Sequence, residues 1–176
     1  MIPEYGKLGG ALITYDVNGN ELKGHPSPVD SQAISGLIYT GEYVLVGTTI
    51  SGGLGIKPTT TESVLVGWDP ETGKKLFQTV PIPGASALTG FIKGPDGNIW
   101  GMGDGTLFKF DPIDRKVVST HKMYEFPEFK SHIWRSAFLT LHPDGHVYGT
   151  DNKKLFRIDP KSMVLTEPSD KAGLLV

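Results

Sequence analysis

Apolar and polar residues alternate along this chain in short runs that glycine and proline interrupt. Within residues 87–126, the runs ALTGFIKG, NIWGM, TLFKF and KVVSTHKM are separated by Pro-Asp-Gly, Gly-Asp-Gly and Asp-Pro sequences. A period of two is typical of half-buried β-strands, and such dipeptides and tripeptides favour tight reversals. The pattern therefore predicts a unit of four antiparallel strands.

Part of this unit recurs farther along the chain. Residues 94–112 read GPDGNIWGMGDGTLFKFDP and residues 142–160 read HPDGHVYGTDNKKLFRIDP, an offset of 48 residues without a gap. Self-similarity at this period, with four strands per unit, indicates the blades of a β-propeller. The recurring residues are Pro95, Asp96, Gly97, Gly101, Leu107, Phe108, Asp111 and Pro112, matched by Pro143, Asp144, Gly145, Gly149, Leu155, Phe156, Asp159 and Pro160.

The repeat sets the expected organisation. We expect an all-β fold, with residues 1–176 forming one partial β-propeller domain of four-stranded antiparallel blades. Full blades are predicted near 33–80, 87–123 and 135–167, with a half blade at 11–30 and the start of another at 171–176. Because the first and last blades are predicted to be incomplete, we favour a segment of a longer propeller. A small four-bladed ring and a ring completed by two chains are the alternatives.

Blade geometry sorts the connections between strands, which we call A to D from the channel outwards. The A–B and C–D turns share one face, and the B–C and D–A connections share the other. Two irregular segments fall on the second face, at 51–62 and 124–134. Variable loops on a regular scaffold commonly carry binding residues. The candidate ligand-binding residues are Ser51, Gly52, Gly53, Lys57, Tyr124, His132, Trp134 and Arg135.

The chemistry of these candidates allows two interpretations. Trp134 offers a stacking face, Arg135 a fork for carboxylates and His132 a proton carrier at the rim of the channel. Alternatively, Trp134 packs between blades and Arg135 pairs with a local acid. The glycine-rich segment before Lys57 resembles a phosphate-binding loop, but Pro58 follows where such a loop opens a helix. It is expected to be a flexible loop, or one whose backbone amides meet a ligand.

No catalytic or metal-binding motif is predicted. His142 and His146 flank a hairpin turn, where their spacing does not bring them onto one helical face. Asp104 and Asp151 fall in tight B–C turns, where such residues ordinarily accept backbone N–H groups. No metal or other cofactor is expected.

Composition narrows the classes of partner. There are 17 Lys and Arg residues against 19 Asp and Glu residues, a net charge of −2, and the basic residues are scattered. This balance argues against nucleic acid and anionic membranes as partners. The chain has no cysteine, which excludes disulfides and thiolate chemistry. It shows no signal-peptide pattern, so the signal of an exported parent, for which an extracellular or periplasmic location is favoured, would lie elsewhere.

The blade sequence, PDG-[NH]-[IV]-[WY]-G followed by LF-[KR]-[FI]-DP, resembles a broad group of propellers. The group includes streptogramin lyase-like, NHL-type and quinoprotein-like repeats. The lyases in it use paired His and Glu residues with a magnesium ion, and no position here matches that set. The tryptophan-docking repeats of quinoprotein dehydrogenases are also absent, so the resemblance does not imply a quinone cofactor.

Three functions follow from these observations. The first is a non-catalytic module for binding a carbohydrate or protein ligand, within a larger exported bacterial protein. The second is part of a lyase or hydrolase that acts on a carbohydrate or lactone at the channel mouth. The third is a subunit interface, in which open blades meet the remaining blades of a parent chain or a second copy.

Overall fold

The computed structural model describes residues 7–52, 56–125, 136–151 and 154–167. Within these ranges the secondary structure is entirely β, as the alternating pattern predicted. The strands are β1 (Ala11–Asp16), β2 (Glu21–Pro26), β3 (Ala33–Tyr39), β4 (Val44–Thr49), β5 (Leu65–Asp69), β6 (Lys74–Thr79), β7 (Thr89–Lys93), β8 (Ile99–Gly103), β9 (Thr106–Asp111), β10 (Lys116–Lys122), β11 (Phe138–Leu141), β12 (Val147–Asp151), β13 (Lys154–Ile158) and β14 (Leu165–Thr166).

These strands form one two-stranded and three four-stranded antiparallel sheets, each paired in chain order. We call β1–β2 blade 1, β3–β6 blade 2, β7–β10 blade 3 and β11–β14 blade 4. The four-stranded antiparallel blades predicted from the repeat are confirmed. Because every strand pairs with its neighbour in sequence, each blade is a meander closed by short turns.

The outermost strand of blade 4 is shorter than its sequence suggests. The run SMVLTE (162–167) has the composition of a strand, but β14 covers Leu165–Thr166 only. Met163 adopts a positive φ of 59°, and its N–H donates to the Asp159 carbonyl at 2.8 Å. The preceding turn therefore extends to residue 164 and leaves fewer residues for the ladder.

The core lies between the blades. One cluster joins blades 1 and 2 and includes Leu12, Val46 and Trp68. A second joins blades 2 and 3, and a third, around Trp100 and Phe156, joins blades 3 and 4. Each sheet buries apolar side chains against its neighbours, so blade-on-blade packing supplies the hydrophobic stabilisation.

The innermost strands β3, β7 and β11 also connect the blades directly. The Ser35 hydroxyl donates to the Leu88 carbonyl at 2.8 Å, and the Ala137 N–H donates to the Thr89 hydroxyl at 2.9 Å. These bonds tie the first strand of one blade to the approach of the next. Together with the core clusters they hold successive blades against one another.

Candidate functional site

The turns on one face of the blades are held by a repeated carboxylate. Asp111 accepts the N–H groups of Ile113 and Asp114 at 2.8 and 3.0 Å. Asp69 and Asp159 hold the corresponding turns of blades 2 and 4 in the same way. These bonds favour the ionised form. Hydrogen bonds from the turn lower the pKa of all three carboxyl groups. We call this face the turn face. Its recurring aspartates stabilise the turns between strands.

The Pro-Asp-Gly turns lie on the same face and have a second role. Asp96 accepts the N–H of Asn98 at 3.2 Å and the indole N–H of Trp100 at 2.8 Å. Asp144 likewise accepts the N–H of His146 at 2.9 Å and the hydroxyl of Tyr148 at 3.0 Å. The aromatic residue four positions after each aspartate is thereby locked against its own hairpin.

The histidines of blade 4 also belong to this turn. The Nδ1 atoms of His142 and His146 lie 3.1 and 3.3 Å from Asp144 Oδ1. A hydrogen bond from the His146 backbone, together with those from Tyr148 and His142, holds the pKa of Asp144 well below its usual range. Within the described ranges, no three His, Asp or Glu side chains converge as metal ligands would.

The opposite face, which we call the loop face, carries longer connections with specific polar anchors. The connection from β4 to β5 spans residues 50–64, and hydrogen bonds fix the end that lies next to β5. The Gln32 amide nitrogen donates to the Thr60 hydroxyl at 3.2 Å and to the Glu62 carbonyl at 2.9 Å. The Thr48 hydroxyl donates to the Gln32 side-chain oxygen, and the Gly84 N–H donates to the Glu62 carboxylate at 3.1 Å. The loop is thus tied to both neighbouring connections.

Four of the predicted binding residues fall within residues 50–64, and the structure describes three of them. The Ser51 N–H donates to the Thr49 hydroxyl at 3.1 Å. Gly52 lies against the N-terminal segment, because a Cβ built there would be 2.7 Å from the Leu8 side chain and 3.3 Å from the Lys7 carbonyl oxygen. Lys57 is exposed to solvent. Ser51 and Gly52 therefore support the loop, whereas Lys57 extends from it.

Tyr124 lies elsewhere on the loop face, at the junction of blades 3 and 4. Its hydroxyl donates to the Asp151 carboxylate, its N–H to the Gly105 carbonyl at 3.3 Å, and its ring contacts Phe156. Burial raises the pKa of the Tyr124 hydroxyl, and the charges of Asp151 and Asp104 raise it further. This tyrosine stays protonated and acts as a donor at neutral pH.

A second carboxylate completes this junction. Asp104, with a positive φ of 44°, accepts the backbone N–H of Ser86 at 2.7 Å and its hydroxyl at 2.8 Å. Sequence analysis placed Asp104 and Asp151 in turns and assigned both to backbone bonds of their own turns. For Asp104 the partners lie elsewhere: its carboxylate reaches Ser86 in the connection that precedes blade 3. The Asp151 carboxylate reaches Tyr124 in the connection that precedes blade 4. We call Asp104, Tyr124 and Asp151 the acidic junction.

No sequence signal identified the acidic junction in advance. Ser86 and Asp104 are 18 residues apart, whereas Tyr124 and Asp151 are 27 apart. The two contacts therefore do not follow the 48-residue repeat. Gly53, His132, Trp134 and Arg135, the other predicted binding residues, lie outside the described residues.

The inner strands form a shallow concavity on the channel side. It runs from β3 of blade 2 across β7 of blade 3 to β11 of blade 4, and its lining includes hydroxyl-bearing, aliphatic and aromatic residues. A small polar molecule could contact backbone and hydroxyl groups here. Its lining residues are Ser35, Gly36, Leu37, Thr89, Gly90, Phe91, Ser136, Ala137, Phe138 and Leu139.

No helix in the described ranges is long and apolar enough to cross a lipid bilayer. No protein-family model matches the chain, and no curated protein matches it.

Solved structures do resemble it. A catalytically inactive variant of virginiamycin B lyase from Staphylococcus aureus with quinupristin is 18% identical, with a TM-score of 0.58, over 98% of this chain and 60% of that chain. The extracellular domain of BT4673 from B. thetaiotaomicron is 15% identical, with a TM-score of 0.58, over 89% of this chain and 20% of that one.

A third is the Cps50 (Swd1) β-propeller domain of Myceliophteria thermophila, which is 15% identical, with a TM-score of 0.50, over 77% of this chain and 40% of that one. The chain thus spans 60% or less of each of these three chains. At these identities the likeness concerns the fold alone. The blades, their order and these comparisons together establish that the chain is a segment of β-propeller.

Proposed function

We propose that this chain is part of a non-catalytic propeller module that binds a carbohydrate ligand on its loop face. The observation that carries the proposal is the contrast between the two faces. On the turn face, the turns after the third strands of blades 2 to 4 repeat one aspartate-held design. On the loop face, the 50–64 connection and the acidic junction are individual structures. Scaffolds place variable, specifically anchored loops where they recognise ligands.

The acidic junction has groups that suit sugar hydroxyls. Tyr124 offers a partly exposed ring, and the Asp104 carboxylate is also partly exposed. A carboxylate can accept about four hydrogen bonds, so the two from Ser86 leave acceptor sites on Asp104. Two negative carboxylates at one junction favour neutral sugars over uronic acids, because like charges repel.

The parent protein is proposed to be exported. The similarity of the fold to the extracellular domain of BT4673 supports this location. An exported module that displays a glycan-binding face would meet polysaccharides directly.

An oligosaccharide array tests the binding proposal. The wild-type chain should retain neutral oligosaccharides more strongly than uronic-acid ones. Tyr124→Phe, which keeps the ring but removes the donor to Asp151, and Lys57→Ala should each weaken retention. Lys161→Ala, on the turn face, serves as the matched control and should leave retention unchanged. Equal loss in all three variants, or no retention by the wild type, would contradict the proposal.

A lyase or hydrolase acting at the channel mouth is the second candidate. The fold shared with virginiamycin B lyase favours it, and the concavity along the inner strands offers a place for a substrate. Mass spectrometry of array-positive glycans after incubation with the chain separates the two functions. A binding module returns each glycan intact, a lyase yields an unsaturated product, and a hydrolase yields fragments that have gained water.

A further inference from the structure

The connection between blades 2 and 3 contains a residue that forms hydrogen bonds in two directions. Toward blade 2, the Ser86 carbonyl accepts the Thr49 hydroxyl and the Ile50 N–H, each at 3.0 Å. Toward blade 3, the N–H and the hydroxyl of Ser86 both donate to the Asp104 carboxylate, at 2.7 and 2.8 Å. Ser86 therefore lies between the start of the 50–64 connection and the acidic junction.

The two residues before Ser86 are held by the same loop. The Gly84 N–H donates to the Glu62 carboxylate at 3.1 Å, and the Ala85 carbonyl accepts the Ser63 N–H at 2.8 Å. Three consecutive residues of this connection are thus bonded to the segment between β4 and β5 or to its flanks. Because these bonds are consecutive, a displacement of the loop is passed on to Ser86.

Asp104 has little freedom of its own. Gly103 pairs with Thr106 across the turn, so Asp104 and Gly105 are the central residues of a two-residue hairpin loop. Their φ angles of 44° and 76° are both positive, as a type I′ turn requires. Each carboxylate oxygen of Asp104 then accepts one bond from Ser86. The turn fixes the backbone, and Ser86 fixes the plane of the carboxylate and the directions of its remaining acceptor sites.

We propose that Ser86 is a positioning residue that couples the 50–64 connection to the Asp104 carboxylate. This inference rests on the proposed function, because it gives Ser86 the role of holding two ligand-contacting parts of the loop face in one arrangement. A carboxylate held in one orientation loses less conformational entropy on binding a sugar hydroxyl than one that rotates freely. Preorganisation of this kind increases affinity without a new contact to the ligand.

The chemical shift of the Asp104 carboxyl carbon tests the coupling without any ligand. Ser86→Ala removes the bond to Asp104 Oδ1 and should change this shift, whereas Ser86→Thr keeps a hydroxyl and should restore it. Thr49→Val removes a donor to the Ser86 carbonyl and should change the same shift through Ser86. Thr40→Val is the matched control, because it removes a hydroxyl bond to the Tyr43 carbonyl on the turn face, and it should leave the shift unchanged.

Calorimetric titration tests what the coupling does for binding. The probe is the neutral oligosaccharide that the wild-type chain retains most strongly on the array. Ser86→Ala and Thr49→Val should each raise its dissociation constant about three- to tenfold, the effect of losing one hydrogen bond. Ser86→Thr and Thr40→Val should bind like the wild type. Circular dichroism checks that each variant retains its β structure.

The outcomes separate this inference from the function on which it rests. An Asp104 carboxyl shift that Ser86→Ala or Thr49→Val leaves unchanged would overturn the coupling. An affinity that Ser86→Ala does not lower, or that Ser86→Thr does not restore, would overturn the positioning role. A wild-type chain that binds no oligosaccharide contradicts the proposed function instead, and the carboxyl shifts then still decide whether Ser86 couples the loop to Asp104.

Discussion

At the scale of single residues, both aspartates of the repeated sequence hold turns. Those of the Asp-Pro turns hold backbone N–H groups two and three positions ahead. Those of the Pro-Asp-Gly turns also hold an aromatic donor four positions ahead. The recurrence itself indicated a structural role. The aromatic partner could not be deduced, because Trp and Tyr are equally explained by packing until the hydrogen bond is seen.

Trp100→Phe tests that bond. The substitution keeps a buried ring but removes the N–H that donates to Asp96, in a side chain with no exposed surface. We expect a loss of about 1–2 kcal/mol in the free energy of unfolding, measured by urea denaturation. Tyr148→Phe removes the equivalent but exposed bond to Asp144 and should cost less, about 0.5 kcal/mol. Equal losses in both variants would contradict this explanation.

The turn aspartates also predict acid sensitivity. Asp69, Asp111 and Asp159 have a lower pKa in the folded protein than the ordinary value of 3.8. Their contribution is therefore complete above that value and is lost as the pH falls through the lower folded pKa. The urea midpoint should therefore decline as the pH falls below 3.8. Asp111→Asn, which cannot titrate, should make this decline shallower; an unchanged slope would count against the assignment.

At the scale of strands, the glycine of the second strand in blades 3 and 4 makes room for the aromatic ring of the third strand. A Cβ built on Gly101 would lie 2.6 Å from the Phe108 ring, and one on Gly149 would lie 2.5 Å from the Phe156 ring. This explains why Gly and Phe recur together seven residues apart.

Gly101→Ala should therefore be destabilising. The new methyl group meets the Phe108 ring and, at 2.9 Å, the Phe91 ring, so the core must shift at a cost of about 1–3 kcal/mol. Gly24→Ala in β2 is the control, because a Cβ there has no neighbour within 4 Å. Thermal unfolding should show a lower midpoint for the first variant only. A midpoint for Gly101→Ala equal to that of the wild type would contradict the packing described.

Much of the element structure could be predicted from the sequence because its causes are local. Alternation defined the strands, and Pro-Asp-Gly and Asp-Pro sequences defined the turns. The acidic junction could not be predicted. Asp104 bonds to Ser86, and Asp151 to Tyr124, through connections that have no fixed length and no repeated sequence. Contacts of that kind depend on the orientation of neighbouring blades, which no local sequence pattern determines.

At the scale of the whole molecule, stability arises from the interfaces between blades. Leu107 and Leu155 are the same residue in the repeat, but Leu107 is buried between blades 3 and 4, whereas 53% of the Leu155 surface is exposed. Leu107→Ala should lower the free energy of unfolding by about 2–5 kcal/mol, because it opens a cavity in a closed interface. Leu155→Ala, measured at low concentration by the same urea denaturation, should cost less than about 1 kcal/mol. Similar losses at both positions would contradict the difference in burial described.

The same architecture separates structure from function. Regular turns hold one face, and individually anchored loops occupy the other. If the module binds on the loop face, the turn face acts only as support, and a ligand should affect the two faces unequally.

Mapping backbone amide shifts by nuclear magnetic resonance during titration with a neutral oligosaccharide tests this most directly. The account predicts that shifts concentrate at the loop face, at Ser51, Asp104 and Tyr124, while Asp96, Asp111 and Asp144 on the turn face stay unchanged. Shifts centred on the turn-face aspartates, or spread equally over both faces, would contradict it.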